Sequence, residues 1–215
     1  MANKMNVILD NEWILVKNDW EGVAQALSEG LGVPKRTGKD LKQSFRLYDK
    51  GPDNPLYQHN RGLISADEFW KTVLESPGYD IEATPENIQI MADSMAQLTT
   101  DVDPAAVKFV EEMYESGVPL FMLSNSTIDI NRGNRERNDY FKLFKDCQFS
   151  FQTGFRKPEA GAYLSLMERN GLVPQESLFV DDKEENLVGA RAVGMQAVYH
   201  KIGDGNLADR VKPYL

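Results

Sequence analysis

Four short apolar runs, each closed by a polar residue, constrain this chain more than any other feature of its sequence. Val7-Ile8-Leu9 ends at Asp10, Val118 to Leu123 at Ser124, Leu178-Phe179-Val180 at Asp181, and Met195 to Tyr199 at His200. Short continuous apolar runs separated by helical segments are the pattern of strands in a parallel sheet covered on both faces. A fifth candidate strand lies around Cys147 to Gln152. The segments between them carry helix punctuation. Asp103 and Pro104 open an amphipathic run that closes at Gly117, which combines an N-cap, a proline in the first turn and a terminal glycine. Lys157-Pro158 opens a second, with Tyr163, Leu164, Leu166 and Met167 as its apolar face, and Lys183 to Val193 forms a third that closes at Gly194. Strand and helix in alternation predict an α/β fold: a doubly wound, Rossmann-like parallel sheet core.

Residues 17 to 98 break that alternation. Trp20, Val23, Ala24, Leu27 and Leu31 recur at helical spacing, as do Leu41, Phe45 and Tyr48, and as do Ile88, Met91, Met95 and Leu98. Ser65 and Glu68 form a capping box ahead of Phe69, Trp70, Val73 and Leu74. These residues predict a small helical domain, 17–98, inserted into an α/β core made of 1–16 and 99–215.

Charge and cysteine content narrow the function classes. With 33 acidic against 24 basic residues the formal charge is −9, so neither nucleic acid nor an anionic membrane surface is an expected partner. One cysteine, Cys147, allows no intrachain disulfide and no thiolate zinc cluster. Met1 to Asn6 holds no apolar signal core, and no apolar run approaches the ~18 residues of a membrane span, so the expected location is cytoplasmic. Oligomeric state is open at this level.

Ligands of an open parallel sheet bind beyond the carboxyl ends of its strands. Asp10, Ser124 and the pair Asp181-Asp182 all fall at such ends, and Lys157 falls at the start of a helix. Adjacent carboxylates repel: at ~4 Å and an effective dielectric near 20 a like pair costs about 4 kcal/mol, which a cation relieves. In order, the motifs are Val7-Ile8-Leu9-Asp10-Asn11-Glu12-Trp13, Phe121-Met122-Leu123-Ser124-Asn125, Phe155-Arg156-Lys157-Pro158-Glu159, and Leu178-Phe179-Val180-Asp181-Asp182 running through Asn186 to Gly194-Met195. Together they resemble the haloacid dehalogenase-like hydrolase superfamily, over the whole chain, and many members of that superfamily carry a helical cap where residues 17 to 98 lie. Tyr57 to Ser65 is similar to the cap of its sugar-1-phosphate phosphatase branch.

The resemblance implies hydrolysis of a small phosphorylated metabolite, a sugar phosphate being favoured, through a covalent intermediate. Asp10 would attack phosphorus. Mg²⁺ would be held by Asp10, the backbone carbonyl of Glu12 and Asp182, with Asp181 and Asn186 holding its waters. Ser124 and Asn125 would bind phosphate oxygens, and the Lys157 ammonium would offset charge between Asp10 and the phosphoryl group. One position departs from the pattern: phosphatases of the superfamily usually carry Asp two residues after the nucleophile, and here it is Glu12. Three readings stay open. Glu12 acts as general acid and base from a longer arm; or it lends only its carbonyl to the metal; or the protein is a weak catalyst that binds a phosphorylated metabolite. A mutase would also want the missing Asp, and a dehalogenase would leave Asp181-Asp182 without a metal to hold. A response-regulator receiver, the nearest rival of another class, places its acidic pair near the N-terminus.

Outside these motifs, Trp13 is expected in the core or at the cap contact, with the substrate pocket as the alternative. His59 and Arg61 are expected at the surface or in a turn, with substrate binding from the cap as the alternative. Arg132, Arg135 and Arg137 belong to a polar loop, Ser126 to Asn138, read as a solvated face or a rim that attracts anions. Cys147 is expected as a small buried apolar residue.

Overall fold

The computed structural model describes residues 5–34, 36–47, 51–76 and 79–215, with backbone alone over 43–47. After β1 (Asn6–Leu9) and the two-residue β2 (Val16–Lys17), the described chain forms α1 (Trp20–Leu31), α2 (Gly38–Leu47), α3 (Pro55–Asn60), α4 (Ala66–Leu74) and α5 (Pro85–Ala96). It returns through β3 (Asp101–Val102), which pairs antiparallel with β2, so that one short ribbon forms the stem of the whole helical insert. Then follow α6 (Pro104–Glu115), β4 (Leu120–Ser124), α7 (Ile128–Arg137), β5 (Asp146–Phe149), α8 (Ser150–Thr153), α9 (Ala160–Asn170), β6 (Ser177–Asp181), α10 (Glu184–Ala192), β7 (Gln196–Tyr199) and α11 (Leu207–Val211).

The five longer strands form one parallel sheet in the order β5-β4-β1-β6-β7. Its three central strands are the most apolar runs of the chain, as burial on both faces demands. Side chains alternate between faces. Val7, Leu9, Met122 and Val180 meet Ala106, Phe109, Val110 and Met113 of α6. Ile8, Phe121, Leu123 and Phe179 meet Tyr163 and Leu166 of α9 and Leu187 and Ala190 of α10. The fold is therefore the α/β, doubly wound, Rossmann-like arrangement read from the sequence.

The helices between β2 and β3 share a core, in which Val23 and Leu27 of α1, Leu41 of α2, Phe69, Trp70 and Val73 of α4, and Met91 and Met95 of α5 pack together, and Ile130 of α7 joins it. Tyr48 lies outside the described residues, and so does the side chain of Phe45. Asn54 caps α3, the Ser65–Glu68 capping box opens α4, and Thr84 caps α5.

Three local expectations change. Ser126 to Asn138 is not a loop: Thr127 caps α7, whose buried face is made of Asp129, Asn131, Gly133 and Asn134 beside Ile130. That face has no apolar stripe, so hydrophobic spacing gives no sign of it. The fifth strand ends at Phe149, and Ser150 to Thr153 curl into α8. Lys157 precedes α9 by three residues and sits in the connection rather than on the helix.

Candidate active site

Strands β1, β4 and β6 run side by side in register, Leu9 opposite Met122 and Val180, so their carboxyl ends bring residues distant in sequence to one edge. Asp10, Ser124 and Asp181 stand there, all buried, and the connection before α9 drops Lys157 among them, also buried. The Lys157 ammonium lies 2.9 Å from Asp10 Oδ1 and 2.7 Å from Asp181 Oδ2. Burial alone would lower the lysine's pKa, but Asp10 and Asp181 together hold it above the ordinary value. Burial raises the Asp10 carboxyl above its usual range against the pull of Lys157, and a hydrogen bond from Ser124 reaches the same carboxyl.

Asp181 is fully engaged. Its Oδ1 accepts from the Lys183 backbone N–H at 2.9 Å and from Asn186 Nδ2 at 2.9 Å; Asn186 also reaches Oδ2. Asp182, its neighbour, is half-buried, and burial together with the charge on Asp10 pushes its carboxyl up to about 6. One oxygen each from Asp10, Asp181 and Asp182 lies within 4.8 Å of the others. Hard oxygen donors crowded this closely, two of them resisting ionisation, fit a small divalent cation such as Mg²⁺.

Asn125 and Lys157 hold each other. Asn125 Nδ2 donates to the Lys157 carbonyl at 2.9 Å, and the Lys157 N–H donates to Asn125 Oδ1 at 2.8 Å. This reciprocal pair sets the backbone from which the lysine reaches the carboxylates.

Beyond β1 the chain turns sharply, and Trp13 takes a left-handed conformation with φ +65° that non-glycine residues rarely adopt. Its N–H donates to Val16 O at 2.7 Å and its carbonyl accepts from Ile202 N at 2.8 Å. The turn presents Glu12 beside Asn18, whose Nδ2 donates to Glu12 Oε2 at 3.0 Å. Burial raises the Glu12 carboxyl; the Asn18 bond and Lys183 pull it part of the way back. Glu12, Asp182 and Lys183 line a cavity of about 310 Å³ between the sheet edge and the insert.

The peripheral candidates take other places. Trp13 lines the cavity, with Lys201 over its ring at 4.8 Å. His59 is neither at the surface nor in the cavity; it is buried, stacked on Phe69 at 4.5 Å, with Nε2 3.6 Å from Asp129. Arg61 pairs with Glu159 and lies over the Tyr57 ring, joining the insert to the loop before α9. Arg132 pairs with Asp93 of α5 at 2.7 Å, Arg137 donates to the carbonyl of Ala96, and Arg135 covers Phe141 and Phe149. These arginines fasten α7 to its neighbours instead of forming an anion rim. Cys147 is partly buried on β5. Asn18 and Lys201 reach the cavity with no signal in the sequence, Trp20 and Trp70 from stripes read as core packing, and Arg156 and Lys183 from beside the motif residues Lys157 and Asp182.

A doubly wound sheet whose carboxyl edge gathers three carboxylates, two of them paired with one buried lysine, has the architecture of an enzyme. Residues 59–199 match the haloacid dehalogenase-like hydrolase family, and the chain belongs to that family. Among its relatives, a sesquiterpene phosphatase from Aspergillus oryzae is 29% identical over 147 residues, 66% of this chain and 70% of that protein. An enolase-phosphatase from Pseudomonas fluorescens is 30% identical over 103 residues, 46% of this chain and 44% of that protein, so the match spans less than half of that relative's length. The fold is also that of a haloacid dehalogenase family enzyme from Bacteroides thetaiotaomicron, solved in complex with magnesium and inorganic phosphate: TM-score 0.75, 18% identity, 94% of this chain and 97% of that one. Among the described residues no helix is long and apolar enough to cross a membrane.

Proposed function

We propose that this hydrolase is a Mg²⁺-dependent phosphomonoesterase that works through an aspartyl-phosphate. The observation that carries the reading is the Lys157 ammonium bonded to Asp10 and Asp181 in one buried cluster at the strand ends. The family's phosphatase-named relatives and the neighbour solved with magnesium and phosphate support it.

An oxygen of Asp10 attacks phosphorus, the ester P–O bond breaks, and the departing alcohol oxygen takes a proton from the Glu12 carboxyl. The elevated pKa of Glu12 suits it to carry that proton. Glu12, now a carboxylate, removes a proton from water; the water oxygen attacks phosphorus and the acyl-phosphate bond breaks, which restores Asp10 and releases inorganic phosphate. Ser124 and Asn125 orient phosphoryl oxygens, and Lys157 offsets the charge that builds on them. Asp10, Asp182 and the Glu12 carbonyl would hold the Mg²⁺. Asp181, already engaged with Lys157 and Asn186, stands behind them with Asn186. Bound there, the ion would neutralise the carboxylates and polarise a phosphoryl oxygen.

The helical insert would act as a cap domain over this edge and select the alcohol. A sugar phosphate is the class expected from the Tyr57–Ser65 stretch; the name of the sesquiterpene phosphatase relative points to a quite different alcohol. Phosphate release from a panel of small phosphomonoesters with Mg²⁺ tests the activity. Asp10→Asn should reduce it to background, as should chelation, and turnover that survives Asp10→Asn would exclude the covalent route.

A further inference from the structure

The cavity beside the acids has two kinds of wall. The chain contains three tryptophans, and all three, Trp13, Trp20 and Trp70, line it, together with Phe69, Met95 and Leu98. Trp70 donates its indole N–H to Asp129 at 2.9 Å, so its polar atom is satisfied away from any ligand. Several polar side chains on the same wall are engaged within the protein, although Asn18 Oδ1 has no hydrogen-bond partner among the described residues. Asn60 Nδ2 donates to the Leu56 carbonyl at 3.1 Å, and Ser126 Oγ to the Thr127 carbonyl at 3.3 Å. Thr127 Oγ1 accepts from the Ile130 N–H at 3.5 Å, and Asn18 holds Glu12. A sugar needs a partner for each buried hydroxyl, because a buried polar group left unmade is penalised. Beside its polar and charged residues the cavity offers a continuous aromatic and aliphatic surface, to which Leu56 and Ile130 also contribute. The cations that reach the cavity, Arg156, Lys183, Lys201 and Lys42, suit an anionic head. A volume of about 310 Å³ lies at the lower end of ligand-sized cavities.

We propose that the substrate is the phosphate monoester of an apolar alcohol, its hydrocarbon or aromatic body held against the three tryptophans while its phosphate faces Asp10. The inference rests on the phosphatase reading above for turnover, and on the cavity alone for binding. Apolar contact selects the substrate here through the alcohol that leaves, and the phosphoryl site serves any monoester that can enter.

Two measurements separate the claims. With Mg²⁺, kcat/KM for geranyl phosphate and 2-naphthyl phosphate should exceed that for glucose 1-phosphate by about 10²-fold or more, the scale on which apolar pockets discriminate. Trp20→Ala and, independently, Leu56→Asn should shift the geranyl-to-glucose ratio toward unity by about tenfold. In the Asp10→Asn protein, which should not turn over, geranyl phosphate should quench the intrinsic fluorescence, since every tryptophan borders the cavity; glucose 1-phosphate should not. A glucose 1-phosphate rate within threefold of the geranyl rate, or above it, overturns the proposal. So does unchanged fluorescence on titration with geranyl phosphate. Quenching without phosphate release from any ester sustains the apolar site and removes the phosphatase reading.

Discussion

Glu12 and Cys147 are the residues whose surroundings make the clearest claims. The Glu12 carboxyl is partly buried against Asn18 and lies one methylene further from its backbone than the family's usual aspartate would. If its carboxyl moves the proton, Glu12→Gln lowers kcat by about 10²–10⁴-fold with little change in protein stability. A rate retained in that variant would leave residue 12 only its backbone carbonyl. Cys147 belongs to a different chemistry. Burial pushes its thiol up to about 11, from an ordinary value of 9.0. The folded value lies above the unfolded one, so the stability this thiol contributes is complete below pH 9 and is lost as pH rises toward 11. At pH 8 the thiolate fraction is small, and iodoacetamide should alkylate native Cys147 far more slowly than the same residue in urea, as followed by mass spectrometry. At this scale the sequence was an uneven guide. Asp10, Ser124 and Asp181 were legible because strand ends announce themselves, and Lys157 because a proline follows it ahead of a helix. Asn18 was not, since nothing about an asparagine after a valine and a lysine says that its amide will meet Glu12.

Among the elements, α7 illustrates where periodicity stops. Apart from one apolar anchor, Ile130, its buried face is Asp129, Asn131, Gly133 and Asn134, and its polar side chains meet the Trp70 indole, Asp93 and the carbonyls at the end of α5. Gly133 is there because α5 ends against it; a Cβ at that position would collide with the Ala96 carbonyl oxygen. Gly133→Ala should therefore destabilise by about 1–3 kcal/mol, read as a lower urea midpoint at constant slope, although alanine favours helices intrinsically. A stabilised variant would mean that α7 and α5 have room to separate. The well-punctuated helices behaved otherwise. The Asp103 carboxylate accepts from Ala105 and Ala106 N–H at 2.8 and 3.0 Å, as an N-cap before proline should. Caps and glycine stops are local chemistry and can be read locally; a helix held by polar tertiary contacts cannot.

For the molecule as a whole, four of the 33 acids, Asp10, Glu12, Asp181 and Asp182, stand where an anionic substrate is proposed to bind. Burial and the charge on Asp10 raise the Asp182 carboxyl from 3.8 to about 6, so the stability it contributes while protonated is complete below pH 3.8 and is lost as pH rises through about 6; the Asp10 carboxyl is raised as well. A divalent cation reverses that loss. At about 100-fold over its Kd, Mg²⁺ should stabilise by about 2.7 kcal/mol, or about 5–10 °C in Tm for a chain of this size. The gain should be present at pH 7.5, reverse with chelator, and shrink in Asp182→Asn; a Tm indifferent to Mg²⁺ at pH 7.5 would count against a metal held by these acids. The parallel strands of the core, its punctuated helices and the acids at the strand ends were legible in the sequence alone, because apolar runs, caps and strand-end polarity act over a few residues; the order of the strands in the sheet and the helices α7 and α8 were not. Which way Glu12 leans, how α7 is held, and the gathering of three tryptophans from distant segments around one cavity were decided only by tertiary structure. Those contacts join residues tens of positions apart, and no local spacing encodes them.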